Sequence, residues 1–241
     1  MRSKLLKMAV KAGLGLMAGS SLLLAVACGA THQGRVVGKS GFLGDYSQLT
    51  EGKGDEALLR YLNPNADFRK YDKILMEPIK IYPGVKDSYW RDISNGDRRK
   101  LLNYFDSTLR SNLGKRFTFV SDPGPGVMRF RIALTELNSS AVALDIVSSV
   151  MPPGIALSSL KSIATGRGSA IGQVSVEFEA LDGQSGERLA AMVDKRVGNK
   201  YTGNLDKLEK WRAAQGAFDY WAERMSVRLM ELQGEKPPTK D

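Results

Sequence analysis

Ser158-Ser159-Leu160-Lys161 fits the S-x-x-K pattern, in which a serine nucleophile can pass its proton to a lysine one helical turn away. That chemistry needs an S-D-N and a K-T-G further along, and neither follows; Ser121-Asp122-Pro123 differs and comes earlier. Gly166-Arg167-Gly168-Ser169-Ala170-Ile171-Gly172 could cradle a phosphate. However, a dinucleotide loop follows a strand and opens a helix, and here a strand pattern comes next. Glu177 and Glu179 stand two apart in that strand, about 7 Å from each other, a spacing open to acid–base work but also that of an ordinary solvated face. Asp182 sits in a turn that its own carboxylate can close. With one histidine, His32, and one cysteine, Cys28, the chain has too few ligands for a zinc cluster, no pair for a disulfide and no histidine-based triad on the fold. None of its motifs implies a cofactor, and the residues favour a binding or structural role over catalysis.

Cys28 has the most specific surroundings. Arg2, Lys4, Lys7 and Lys11 precede a stretch, 12–27, without any charge. That is the layout of a secretory signal. The apolar run falls short of the ~20 residues a spanning helix needs. Ala25-Val26-Ala27-Cys28 looks like a bacterial lipobox. By that resemblance the Cys28 sulfur takes a diacylglycerol as a thioether, thiolate being the nucleophile, and the chain is cut just before it. A single acyl chain holds a protein to a membrane marginally, and two or three hold it durably. The chain from Cys28 onward then has a formal charge of +5 rather than +9, since four of the positive residues lie in the signal. No concentrated basic stripe with interleaved aromatics remains, which argues against a nucleic-acid partner.

The expected elements follow from periodicity. Residues 28–40 are Gly-rich and polar and read as a flexible tether. Phe42, Leu43, Tyr46 and Leu49 read as an arm docked on a single domain over 41–232. A strand is expected over 71–82, with Pro78 marking an edge or bulge. A helix follows, with Leu101, Phe105, Leu109 and Leu113 on one face, Asp97 as N-cap and Gly114 just past its end. Strands are expected at 117–120 and 127–137, and a hairpin over 172–197 turns at 182–186. In that hairpin Val174, Val176, Phe178 and Ala180 point in, whereas Gln173, Ser175, Glu177 and Glu179 point out. A final helix, about 205–232, carries a stripe from Leu208 and Trp211 through Phe218, Trp221 and Met225 to Leu229 and Leu232. The tail 233–241 reads as disordered.

The order β-α-β-β-insert-β-β-α predicts an α+β fold, a mainly antiparallel sheet of about five strands with two helices on one face. The insert, 141–172, has only Asp145, Lys161 and Arg167 as charges and is split by Pro152-Pro153-Gly154. Neither half can span a bilayer. It reads either as a cover over the sheet or as a contact surface for a membrane or a partner, through Val150, Met151, Ile155, Leu157, Leu160 and Ile163.

The blocks "SGFLGDYSQL", "YDKILMEPIKIY", "GPGVMRFRIALTEL" and "GSAIGQVSVEFEALDGQSGERLAAMVD", in this order behind a lipobox, resemble the bacterial lipoprotein family called domain of unknown function 3313, over most of 40–232. The resemblance implies an envelope lipoprotein and brings no catalytic residue with it. Gly29, where an aspartate would retain the protein at the inner membrane, implies the outer membrane, facing the periplasm. The element order is also similar to periplasmic modules of envelope assembly and secretion lipoproteins, an analogy of fold alone. Two other roles stay open: a subunit of an envelope transport or secretion assembly, and an enzyme using carboxylates on envelope material. Co-purification with envelope proteins marks the first, and loss of activity on changing Glu177 or Asp182 marks the second.

Overall fold

The computed structural model describes residues 31–83, 90, 93–138, 172–198 and 211–236. Within them one mixed sheet carries nine strands: β1 (Thr31–Gln33), β2 (Thr50–Glu51), β3 (Leu59–Leu62), β4 (Lys73–Met76), β5 (Lys80–Ile81), β6 (Thr118–Phe119), β7 (Val127–Asn138), β8 (Gln173–Asp182) and β9 (Arg188–Gly198). Its main path runs β2-β3-β9-β8-β7-β4-β6, with β1 paired to β9 and β5 to β7. Helices α1 (Asn95–Leu113) and α2 (Arg212–Leu232) pack on one face.

The α+β class is as expected, but the sheet is larger and less antiparallel. β4 runs parallel to β6 and β7, and β5 runs parallel to β7. The reason is the helix between them: a strand, a crossing helix and a returning strand produce a parallel pair. Pro78 has no N–H to give, and the ladder breaks between β4 and β5 at Glu77-Pro78-Ile79. Three of the four additional strands come from 31–62, where short pieces show no period, and the fourth is β5, split from the strand expected over 71–82. The stretch read as a flexible tether is strand from Thr31, which pairs with Gly198 at the far end of β9.

The helix side holds the main core. Met128, Phe130, Ile132 and Leu134 of β7 and Val174, Val176, Phe178 and Ala180 of β8 meet Leu101, Phe105, Leu109 and Leu113 of α1 and Phe218, Trp221, Met225 and Leu229 of α2. Phe105 and Phe218 stack at 4.5 Å between ring centres. Ser94, not Asp97, caps α1, its hydroxyl accepting the Asp97 N–H at 3.1 Å. Asp97 lies one turn in, where a carboxylate suits the positive end of the helix dipole. Gly114 is needed for closeness rather than handedness: a Cβ there would lie 2.6 Å from the Arg110 carbonyl oxygen.

The tail is docked as far as Glu235. Gly234, at φ +82°, ends α2, with Glu235 N–H bonded to Met230 O and Gly234 N–H to Glu231 O. The Gln233 amide then donates to the carbonyls of Phe68 and Tyr71, and Glu235 pairs with Arg116. Leu208, the first residue of the expected stripe, and residues 237–241 lie outside the described residues.

Candidate functional site

The second face of the sheet is covered as well, so the outward residues of β8 keep the facing expected of them but are not solvated. Ser175, Glu177 and Glu179 are buried, with Glu177 at 0% and Glu179 at 2% exposure. The arm from 34 to 49 lies over them, placing Phe42 and Leu43 against Ala133, Ala191 and Val193. Burying carboxylates is tolerable only where each oxygen is bonded.

Glu177 accepts the Ser40 N–H at 2.7 Å on one oxygen and the Tyr46 hydroxyl at 2.6 Å on the other. The same Tyr46 oxygen accepts the Gly41 N–H at 2.8 Å. Burial, then the hydrogen bond to Glu177, raises the Tyr46 phenol above its usual value. Gly41 and Gly44 both have positive φ, +100° and +73°, so the arm curls back on itself at positions that glycine alone takes readily. Glu179 sits between Arg131 and Arg188, and Arg188 also donates to the carbonyls of Leu43 and Asp45. Glu136 reaches this face through a bulge between Leu134 and Glu136, and accepts from Gln173, Ser175 and Lys195. The block Ser40–Tyr46 is thus a clamp on buried acids.

Asp182 closes its turn as expected, accepting the N–H groups of Gln184 and Ser185 on one oxygen and the Tyr71 hydroxyl on the other. Partial burial works against the charge, yet these bonds hold its carboxyl well below the usual range. Glu177 and Asp182 are five residues apart on one strand, about 16 Å at ~3.3 Å per residue. They form no common site. His32 is on β1 and not on a loose tether.

One feature was not legible in the sequence. Between α2 and the β3–β9 pair lies an apolar slot of about 340 Å³. Phe178, Ala180, Ala190 and Met192 form its floor, with Trp221, Met225, Leu229 and Leu232 as the helix wall. Asp194, 2% exposed, lies in its depth and is satisfied: it accepts from Trp221 Nε1 at 2.7 Å, Gln33 Nε2 at 2.9 Å and Leu58 N at 3.3 Å. The mouth is ionic. Asp55 pairs with Arg224 and Arg228, Arg228 with Glu231, and Arg60 with Glu56. The signal available was the Leu59–Leu62 run, too short to mark a strand beside α2. Among the described residues no cluster of His, Cys, Asp and Glu could hold a metal.

Cys28 and the candidate contact residues Val150, Met151, Ile155, Leu157, Leu160 and Ile163 lie outside the described residues. So do Ser158, Lys161 and residues 166–171.

The curated relatives are named as uncharacterized lipoproteins. The chain is 29% identical over 161 residues to the uncharacterized lipoprotein YdcL of Escherichia coli K12, covering 66% of this chain and 71% of that one, with the same figures for the O157:H7 protein. Among solved structures it is similar to protein XCC0632 of Xanthomonas campestris, at 11% identity and a TM-score of 0.37 over 72% of this chain and 91% of that one. It is similar also to the subunit of the PelC dodecamer of Paraburkholderia phytofirmans, at 13% identity and a TM-score of 0.35 over 68% and 94%. The family described as "Protein of unknown function (DUF3313)" matches residues 38–225, a span that takes in the arm clamp, the whole β7–β9 meander and most of α2, and the chain belongs to that family.

Proposed function

We propose that this protein is a lipid-anchored component of the cell envelope, attached through Cys28 to the outer membrane and facing the periplasm, with a binding rather than a catalytic role. The observation that carries this reading is the closeness of the anchor to the sheet. β1 begins at Thr31, three residues past Cys28, so at ~3.3–3.6 Å per residue the sheet starts within about 11 Å of the lipid. The anchor's position within a lipobox-like sequence and the lipoprotein designation of YdcL add support. Gly29 in place of a retention aspartate favours the outer membrane. The non-catalytic part is supported by the engagement of Glu177, Glu179 and Asp182 in internal bonds. Cys28→Ser should abolish metabolic labelling with palmitate and leave the protein uncleaved or mislocalised; labelling that persists would remove the anchor from Cys28.

The register adds a second element to the reading. Asn138 pairs with Gln173, Gln173 with Val197 and Thr31 with Gly198, so these residues share one end of the sheet. The chain leaves for the insert, and returns from it, at the end where the anchor is attached. This favours 141–172 as the contact surface, set against the membrane that holds Cys28. Val150→Asp with Ile155→Asp, in the mature chain, should then leave the melting temperature unchanged and weaken association with lipid vesicles. A lower melting temperature with unaltered association would make the insert a cover over the sheet, because burying unpaired charge is costly.

A further inference from the structure

The slot beside α2 combines three properties that together define a ligand. Its walls are apolar: Ala190, Met192, Trp221, Met225 and Leu229 leave no unpaired polar atom in the depth, since the Trp221 indole and Asp194 satisfy each other. A ligand group with hydrogen-bonding demands would lose them there. Methionine adapts its shape to chains of different length. Its size is limited. At about 340 Å³ the slot matches roughly eleven waters at ~30 Å³ each. That is room for one medium-length alkyl chain rather than the pair of a diacyl lipid.

Its mouth supplies two guanidiniums from successive turns of α2, Arg224 and Arg228, which share the carboxylate of Asp55, while Arg228 also pairs with Glu231. Asp55 is 62% exposed. Ion pairs so open contribute little, about 0–1 kcal/mol, so another anion can take its place at small cost. Arginine forks suit carboxylate and phosphate oxygens equally.

We propose that the slot binds a single-chain anionic amphiphile, its alkyl chain between Met192, Trp221 and Met225 and its carboxylate or phosphate on Arg224 and Arg228 in place of Asp55. Its described lining takes no residue from the anchor or the insert, so its test reads out separately from theirs.

The mature chain from residue 28, unlipidated, contains every described residue and is the material for the test. The probe is 11-(dansylamino)undecanoic acid, followed by its fluorescence. Three competitors are used below micelle-forming concentrations: laurate, monolaurin with the same chain and a neutral head, and inorganic phosphate as a head alone. Laurate should displace the probe saturably, monolaurin about tenfold less well, and phosphate not at all. Arg224→Gln with Arg228→Gln should bring laurate down to the level of monolaurin. Ala190→Trp, which fills the slot, should remove binding of both. Leu232→Trp, at the half-buried end of the slot, makes the same test if Ala190→Trp does not fold. The proposal is overturned by absence of saturable probe binding, by equal competition from laurate and monolaurin, or by laurate binding that survives a folded slot-filling variant. If neither filling variant folds, the arginine pair decides: a preference for laurate that persists without it overturns the assignment.

Discussion

Trp221→Ala should lower the stability of the fold by about 3–5 kcal/mol, toward the upper end of the cost of emptying a large aromatic site. Trp221 is 2% exposed and packs beside Phe105 and Phe218, with ring centres 6.1 and 6.3 Å away. Truncation removes that packing and enlarges a slot already open on one side. It also takes the indole N–H from Asp194, a buried carboxylate that ties β1, the approach to β3 and α2 to β9. A buried acceptor left without a donor costs about 1–3 kcal/mol. Trp221→Phe separates the two effects by keeping most of the packing, and should cost about that second amount alone. Urea unfolding followed by circular dichroism reads both. Since a domain of this kind has only about 5–15 kcal/mol in total, an unchanged midpoint for Trp221→Ala would mean that α2 does not close the core.

The second large effect is expected on the opposite face. Glu179→Ala leaves Arg131 and Arg188 converging with no carboxylate between them. Removing one partner of a buried pair costs about 3–5 kcal/mol, because the remaining charge is stranded. The damage should spread in a defined direction. Arg188 also holds the carbonyls of Leu43 and Asp45, so amide exchange over 40–48 should rise more than over α1 or α2. Glu179→Leu combined with Arg131→Met and Arg188→Met should recover much of the loss, since apolar groups of similar volume can replace a buried ion pair at little cost. If Glu179→Ala melts like the wild type, the arm is not held by this acid.

The clamp also shows which parts of this fold a sequence displays. β7, β8, β9 and both helices are long enough for their periods to stand out, and the core faces of β7, β8 and the helices can be read residue by residue. Alternation reports which residues share a face, but not what covers that face. Glu177 and Glu179 therefore read as solvated, because the residues that cover and pair them, Ser40, Tyr46, Arg131 and Arg188, sit far away along the chain. The strands β1, β2 and β3 have two to four residues each and exist through their partners, so no local pattern announces them, and β5 shows only as part of the strand expected over 71–82. The slot is less legible again. It is a gap between elements, visible only once β3 is set beside β9 and α2 laid across them.

The place of β9 has a consequence for how the chain is made. Among the described residues it is the last strand in sequence, yet it lies between β3 and β8 and also pairs with β1. Until residue 198 has emerged, β1 and the β2–β3 pair have no place in the sheet, and one edge of β8 is open. The sheet thus cannot close during synthesis from the N-terminus, and most of its pairings wait on contacts distant in sequence, which form slowly. On the export route proposed above this delay is useful: the polypeptide stays extended and passable while it crosses. The hazard is an open edge on the far side, a template for wrong pairing. β9 closes that edge only when nearly the whole chain has arrived.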